Sequence, residues 1–167
     1  MARFSFGKKR FDGACCTVDT FRHLLSEKQS ISHLQCVAKH LKRDGLYILG
    51  LHLLPDRGID TEIVRWEAVR GRLRVHTTMT VLDVDRKRRE ETLRVNLKVD
   101  SVAGTRRYRS EYKLRTYTLG QFLDLLRKSG CFDIKAVYDH SYNLDIPVTL
   151  DNDSEDVVLI LRKSICS

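Results

Sequence analysis

The sequence predicts a mixed α/β fold carrying an inserted antiparallel β-meander, and three observations lead there. Two apolar strand-like runs flank one amphipathic helix in residues 1–55. From residue 56 to 114 the hydrophobic period drops to two. After residue 115 a capped helix and two further strand-like runs follow. The expected organisation is one domain over residues 1–167, with 1–55 and 115–167 forming the α/β core and 56–114 the meander.

Each element has a local reason. Phe11-Asp12-Gly13-Ala14-Cys15-Cys16-Thr17-Val18 is nearly uncharged and reads as a strand buried on both faces. Ser26 and Gln29 have capping-box spacing, which starts a helix at Ser26. Ile31, Leu34, Val37, Ala38 and Leu41 make its apolar stripe, and Gly45 stands where a left-handed C-terminal cap is expected. Leu46 to Leu54 is a second apolar strand, stopped by Pro55. Two buried strands joined by a helix predict a parallel pair.

In the middle zone Leu73, Val75, Thr77, Met79 and Val81 alternate with polar residues, as do Leu93, Val95, Leu97 and Val99. Residues 85–88 and 101–105 are the expected turns. Alternation gathers Arg72, Arg74, His76, Arg94, Lys98, Arg107, Arg109 and Lys113 on a solvated face, and sets Tyr108, Tyr112 and Leu114 on a buried one. In the last zone Thr118 and Gln121 form another capping box, with Phe122, Leu125 and Leu126 as its stripe and Gly130 as its stop. Phe132–Tyr138 and Val157–Leu161 read as strands, and the acidic stretch 151–155 between them is too short and polar for a crossover helix. That pair is expected antiparallel.

Composition narrows the class. The chain has 167 residues, with 30 basic and 22 acidic side chains and a net charge of +8. No apolar run reaches the ~18–20 residues a bilayer requires. The N-terminus lacks the apolar centre of a secretory signal. Five cysteines, an odd number without a CxxC pair, argue against a structural zinc site or a disulfide framework, so a reducing, cytoplasmic setting is expected. His33 and His40 fall seven apart and lack the HExxH pattern, so no metal is expected, and both are placed at the surface or core edge.

Taken in order, Phe11-Asp12, Thr17-Val18-Asp19-Thr20-Phe21-Arg22-His23-Leu24, His40-Leu41, Lys42-Arg43-Asp44-Gly45, Arg115-Thr116-Tyr117-Thr118, Gly130-Cys131-Phe132 and Val157–Lys163 carry a resemblance. Together they resemble the C-terminal part of a class I S-adenosylmethionine-dependent methyltransferase. The resemblance implies the C-terminal half of a Rossmann-like sheet, with strands in the order 4-5-7-6 and the meander as an insertion. It implies S-adenosyl-L-methionine as cofactor and a small molecule as methyl acceptor. The family's Gly-rich loop follows its first strand, and no GxG occurs in this sequence. The acidic residue that holds the ribose in that family also has no counterpart. The expectation is therefore a truncated methyltransferase lacking three strands, inactive alone, or one completed by an oligomer or partner that covers the fourth-strand edge.

Ligands of open α/β sheets sit outside the carboxyl ends of the strands. By resemblance Thr17, Val18, Asp19, Phe21 and Arg22 contact the cofactor. The plainer reading has Asp19 or Thr20 capping a helical turn, Phe21 in the core and Arg22 in solvent. Methyl transfer from a sulfonium rests mainly on positioning, and needs a general base only where the acceptor arrives protonated. His52, His23 and Asp19, in that order, are the candidates. Trp66, Arg70, Arg115 and Tyr117 are candidate substrate contacts. The loop lacks the D/N-P-P-Y signature of amino-directed nucleic-acid methyltransferases. Two other readings are a non-catalytic basic module binding RNA or an acidic protein, and a pseudoenzyme subunit docked on a complete methyltransferase. Nucleic acid is disfavoured, because the basic face has no interleaved aromatics.

Overall fold

Parallel pairing of β1 (Phe11–Cys16) with β2 (Leu41–His52) through α1 (Glu27–His40) opens the fold, in a computed structural model that describes residues 1–55, 62–141 and 143–164. Cys166 and the expected boundary segment from residue 56 lie outside the described residues. The chain divides into two compact units, Met1–Gly58 with Arg115–Ser167, and Ile59–Leu114.

In the first unit the sheet order is β1-β2-β8-β7, with β7 Phe132–Asp139 and β8 Asp156–Lys163. Numbered as in the resemblance, this is 4-5-7-6. β8 runs antiparallel to both β2 and β7. A 3-10 turn, Thr20–His23, follows β1, and α2 is Leu119–Ser129. Both capping boxes form: the Ser26 hydroxyl accepts from the Gln29 N–H at 3.3 Å, and the Thr118 hydroxyl accepts from the Gln121 N–H at 3.4 Å. Gly130 caps α2 with φ 64°.

Tyr47, Leu49 and Leu51 on β2 and Leu159 and Leu161 on β8 alternate onto one face, where they join Leu34 and Val37 of α1 and Phe122 and Leu125 of α2 in the core. The opposite face carries Ile48, Val158, Ile160 and Tyr138, and no described helix covers it; Ile48 remains 38% exposed. β1 is an edge strand, so the expectation of burial on both faces was wrong: Phe11 and Cys15 are exposed. An uncharged run signals a strand, but not how many neighbours it has.

Gly45 also differs from expectation. α1 ends at His40, with extended Leu41 as its cap, and Gly45 lies inside β2. Between the pairs Phe11↔Leu41 and Gly13↔Leu46, β2 bulges, with Asp44 at φ 58°. A Cβ on Gly45 would stand 3.0 Å from the Lys42 carbonyl and 3.2 Å from that of Asp12. Close approach to backbone, rather than left-handed φ, demands glycine there. His33 and His40, expected near the surface, are 6% and 3% exposed. The N-terminal segment covers them: Phe6 donates its N–H to His40 Nε2 at 2.9 Å, and Phe4 packs on both rings. His33 bonds the Tyr47 hydroxyl at 2.9 Å, and burial holds its pKa below the usual value.

The second unit is a four-stranded sheet, β3 (Ile63–Arg70), β4 (Leu73–Asp85), β5 (Glu90–Ser101) and β6 (Gly104–Arg115), in sequential order. β3 went unread in the sequence: Val64, Trp66 and Ala68 alternate with Arg65 and Glu67, but Ile63, Val69 and Arg70 break the period at its ends. One face carries the expected cations, several of them paired with carboxylates: Arg74 and His76 contact Glu67, Lys98 contacts Asp100, and Arg94 and Arg109 share Glu111. Tyr108, expected to be buried, is 52% exposed.

Gly45→Ala is expected to lower unfolding stability by about 1–3 kcal/mol through overpacking. A urea titration reads this, and an unchanged midpoint would contradict the close approach.

Candidate functional site

Three strand ends meet at His52. Extending the parallel register Cys16↔Leu49 by three residues brings Asp19 alongside His52, and the antiparallel register pairs His52 with Asp156. The side chains complete the junction. Asp19 Oδ1 accepts the backbone N–H of His52 at 2.7 Å, and His52 Nδ1 lies 2.9 Å from Asp156 Oδ1. Arg22 Nη1 donates to Asp19 Oδ2 at 3.2 Å, while its Nε donates to the Arg115 carbonyl at 3.0 Å.

The loop between β1 and the 3-10 turn is strained. Val18 and Asp19 have φ of 51° and 56°, a region β-branched side chains rarely enter. Such residues cost ~1–3 kcal/mol each and persist where surrounding contacts fix them. The Asp19 carboxylate, held by the His52 N–H and Arg22, supplies those contacts. Gly50 supplies the space: a Cβ there would stand 3.0 Å from the Val18 nitrogen.

The expected site residues separate into three groups. Thr17, Val18 and Asp19 stay accessible on the loop, with Val18 75% exposed. Phe21 and Arg22 sit beneath it at 0% and 2% exposure. Their side chains shape the loop from inside instead of reaching a ligand, and Arg22 is not in solvent. Asp19 occupies the cap position of the turn but makes no capping hydrogen bond. His52 is at the junction, and His23 is exposed on the turn. Tyr117, expected at the substrate, is fully buried with its hydroxyl 2.8 Å from Ser30 Oγ. Arg115 stacks on the Tyr117 ring at 5.7 Å and donates to the Leu25 carbonyl at 3.0 Å. Trp66 and Arg70 are exposed on β3 of the other unit.

Asp156 was missed, falling between the acidic stretch 151–155 and the strand expected from Val157. Its signal lay in strand pairing: as the first residue of β8 it must oppose the last of β2. The hydrogen bond that His52 donates to Asp156 raises the His52 pKa above its usual value, outweighing desolvation and the Arg22 charge. His52 in turn lowers that of Asp156. With Nδ1–H given to the carboxylate, neutral His52 keeps Nε2 as an acceptor. An apolar cleft lined by Thr17, Val18, Gly50, Tyr138, His140 and Ile160 adjoins the loop.

No protein-family model matches the chain, and no curated protein sequence matches it. Solved structures do. An S-adenosylmethionine-dependent methyltransferase from Clostridium acetobutylicum superposes with a TM-score of 0.71 at 13% identity, over 96% of this chain and 61% of that one. The sugar N-methyltransferase KedS8 from Streptoalloteichus gives 0.70 at 14%, over 98% and 60%. CalS10, an amino pentose methyltransferase from Micromonospora echinaspora solved with S-adenosylmethionine bound, gives 0.68 at 16%, over 96% and 61%. The shared feature is the fold. This chain spans about 60% of the length of these structures. No described helix is long and apolar enough to cross a membrane.

The His52–Asp156 pair sets a pH window. A raised histidine pKa contributes stability below about 6.5, lost as pH rises through the folded value; a lowered carboxylate contributes above about 3.9, lost as pH falls through its own. Asp156→Asn should therefore cost about 0.5 kcal/mol near pH 6, given the half-exposed carboxylate, and less toward pH 9. It should also lower the His52 titration midpoint, read from imidazole NMR shifts. An unmoved midpoint would remove the pair.

Proposed function

We propose that this chain forms the acceptor-side part of an S-adenosylmethionine-dependent methyltransferase acting on a small molecule that bears an amine or hydroxyl. The convergence of Asp19, His52 and Asp156 at the carboxyl ends of β1 and β2, within this fold, carries the reading. The sugar and amino pentose acceptors named for two structural neighbours support a polar small-molecule acceptor.

The residues present fit one side of a donor cradle. Thr17, Val18 and the Asp19 carboxylate lie on an accessible, strained loop at the strand ends. No GxG stands in the sequence for the other side. When bound, the sulfonium supplies an activated methyl group. His52 Nε2 takes the proton that the acceptor heteroatom gives up, and Asp156 holds the imidazole in the tautomer that exposes Nε2. Asp19 fixes the end of β2 through its backbone, and Phe21 and Arg22 position the loop. Since His52 must be neutral to act, activity of the completed enzyme rises with pH through its raised pKa.

The open β1 edge supports completion by further polypeptide. That segment would add a strand beside β1, together with the glycine loop that this sequence lacks. It covers the fourth-strand edge expected from the sequence, and the chain alone is inactive.

NMR titration of the chain with S-adenosylmethionine tests both parts. Shifts confined to the amides of Thr17–Asp19 and His52, saturating only in the millimolar range, are expected for one wall, equivalent to about 4 kcal/mol. Micromolar saturation would contradict the missing wall. Absence of shifts at these residues would contradict the donor site.

A further inference from the structure

The face of the β1-β2-β8-β7 sheet that no described helix covers carries a cleft of about 190 Å³ at the carboxyl ends of β1 and β2. Its floor is the cross-strand row Gly50–Val158–Tyr138, which glycine leaves open by having no side chain. Ile48 and Ile160, paired across β2 and β8, form the end away from the junction. Val18 and Leu144 make the rim, and both are largely exposed, at 75% and 71%. The next row along the strands on this face is His52–Asp156. Two residues of strand separate the rows, about 6.8 Å. An apolar hollow thus stands one row from the proton acceptor. Arg22 offsets Asp19 at 3.2 Å, so with His52 and His140 neutral the half-exposed Asp156 carboxylate is the charge this row keeps.

We propose that this cleft seats the body of the methyl acceptor, and that the acceptor is an arylalkylamine: one apolar six-membered ring bearing an amine on an arm of two or three bonds. The assignment rests on the methyl-transfer reading and narrows its acceptor. Size supports a single ring. An apolar cavity of ~150 Å³ holds benzene, and 190 Å³ leaves space for the start of the arm. Spacing sets the arm, because a ring centred over Gly50 needs ~5–7 Å to carry its nitrogen to the His52 row. Charge sets the amine. An ammonium is drawn to the Asp156 carboxylate and gives its proton to His52 Nε2 before the nitrogen attacks. Tyr138 adds an aromatic wall to the seat. A sugar ring would press hydroxyls on Ile48, Val158 and Ile160, which offer them no hydrogen-bond partner. In the body of its acceptor this chain therefore departs from its sugar-acting structural neighbours.

Methyl NMR of the full chain with phenethylamine, above the His52 titration midpoint, tests this. Saturable shifts at Val18, Ile48, Leu144 and Ile160 are expected, in the low-millimolar range for so small a ligand. Glucosamine should bind about tenfold more weakly or worse. D156N should weaken phenethylamine about threefold and leave the neutral phenethyl alcohol unchanged. I160W fills the cleft and should abolish the shifts from both aromatic probes, with far-UV circular dichroism unchanged. L144A, which lowers the rim, should weaken both and serves as the second variant. Glucosamine binding as tightly as phenethylamine overturns the ring. A D156N chain that keeps its full affinity for phenethylamine overturns the amine and makes the cleft a packing surface for further polypeptide. Absence of shifts at these side chains overturns the proposal outright; shifts from S-adenosylmethionine at Thr17–Asp19 persisting in the same sample leave the methyl-transfer reading standing.

Discussion

β2 is paired on both sides, and the α/β unit depends on that double registration. Its parallel contact with β1 fixes where the Thr17–Asp19 loop leaves the sheet, and its antiparallel contact with β8 fixes where Asp156 begins. Neither Asp19 nor Asp156 is near His52 in sequence; register alone brings them together. Backbone pairing sets the spacing, and two short hydrogen bonds, at 2.7 and 2.9 Å, complete it. A one-residue slip in either pairing would turn His52 to the helix-covered face and leave both carboxylates without their partner.

The junction also shows how local strain is held. Val18 and Asp19 adopt left-handed backbone without glycine, and the Asp19 carboxylate, Arg22 and the close approach at Gly50 jointly hold them there. Leu54 donates its N–H to the Tyr117 carbonyl at 2.8 Å, and Arg22 bonds the Arg115 carbonyl. The strand leaving this unit and the segment returning to it are thereby tied beside the site.

Elements with a strong local signature were legible in the sequence. The capping boxes at Ser26 and Thr118, the glycine stop at Gly130 and the period-two runs of β4 and β5 all act within a few residues, so local chemistry decides them. What escaped was set by pairing and coverage. Gly45 looked like a helix cap because a glycine near a helix end usually is one, whereas a bulge against β1 governs it. Tyr117 and Phe21 carry functional-looking chemistry but lie beneath the site, and no pattern in one chain separates a residue lining a loop from one supporting it. Asp156, between the acidic stretch and the expected strand, stayed hidden because its role comes from the residue opposite.

Among the described strands β1 is paired only with β2, and the proposal that further polypeptide completes the cradle is most exposed to test there. Native-state hydrogen exchange of the free chain measures it directly. Amides of Phe11–Cys16 directed toward β2 should be protected and the alternate ones should exchange near the unfolded rate, an alternation expected of an edge strand. Uniformly slow exchange along β1 would mean that a strand already covers the edge, and the half-cradle account would fail.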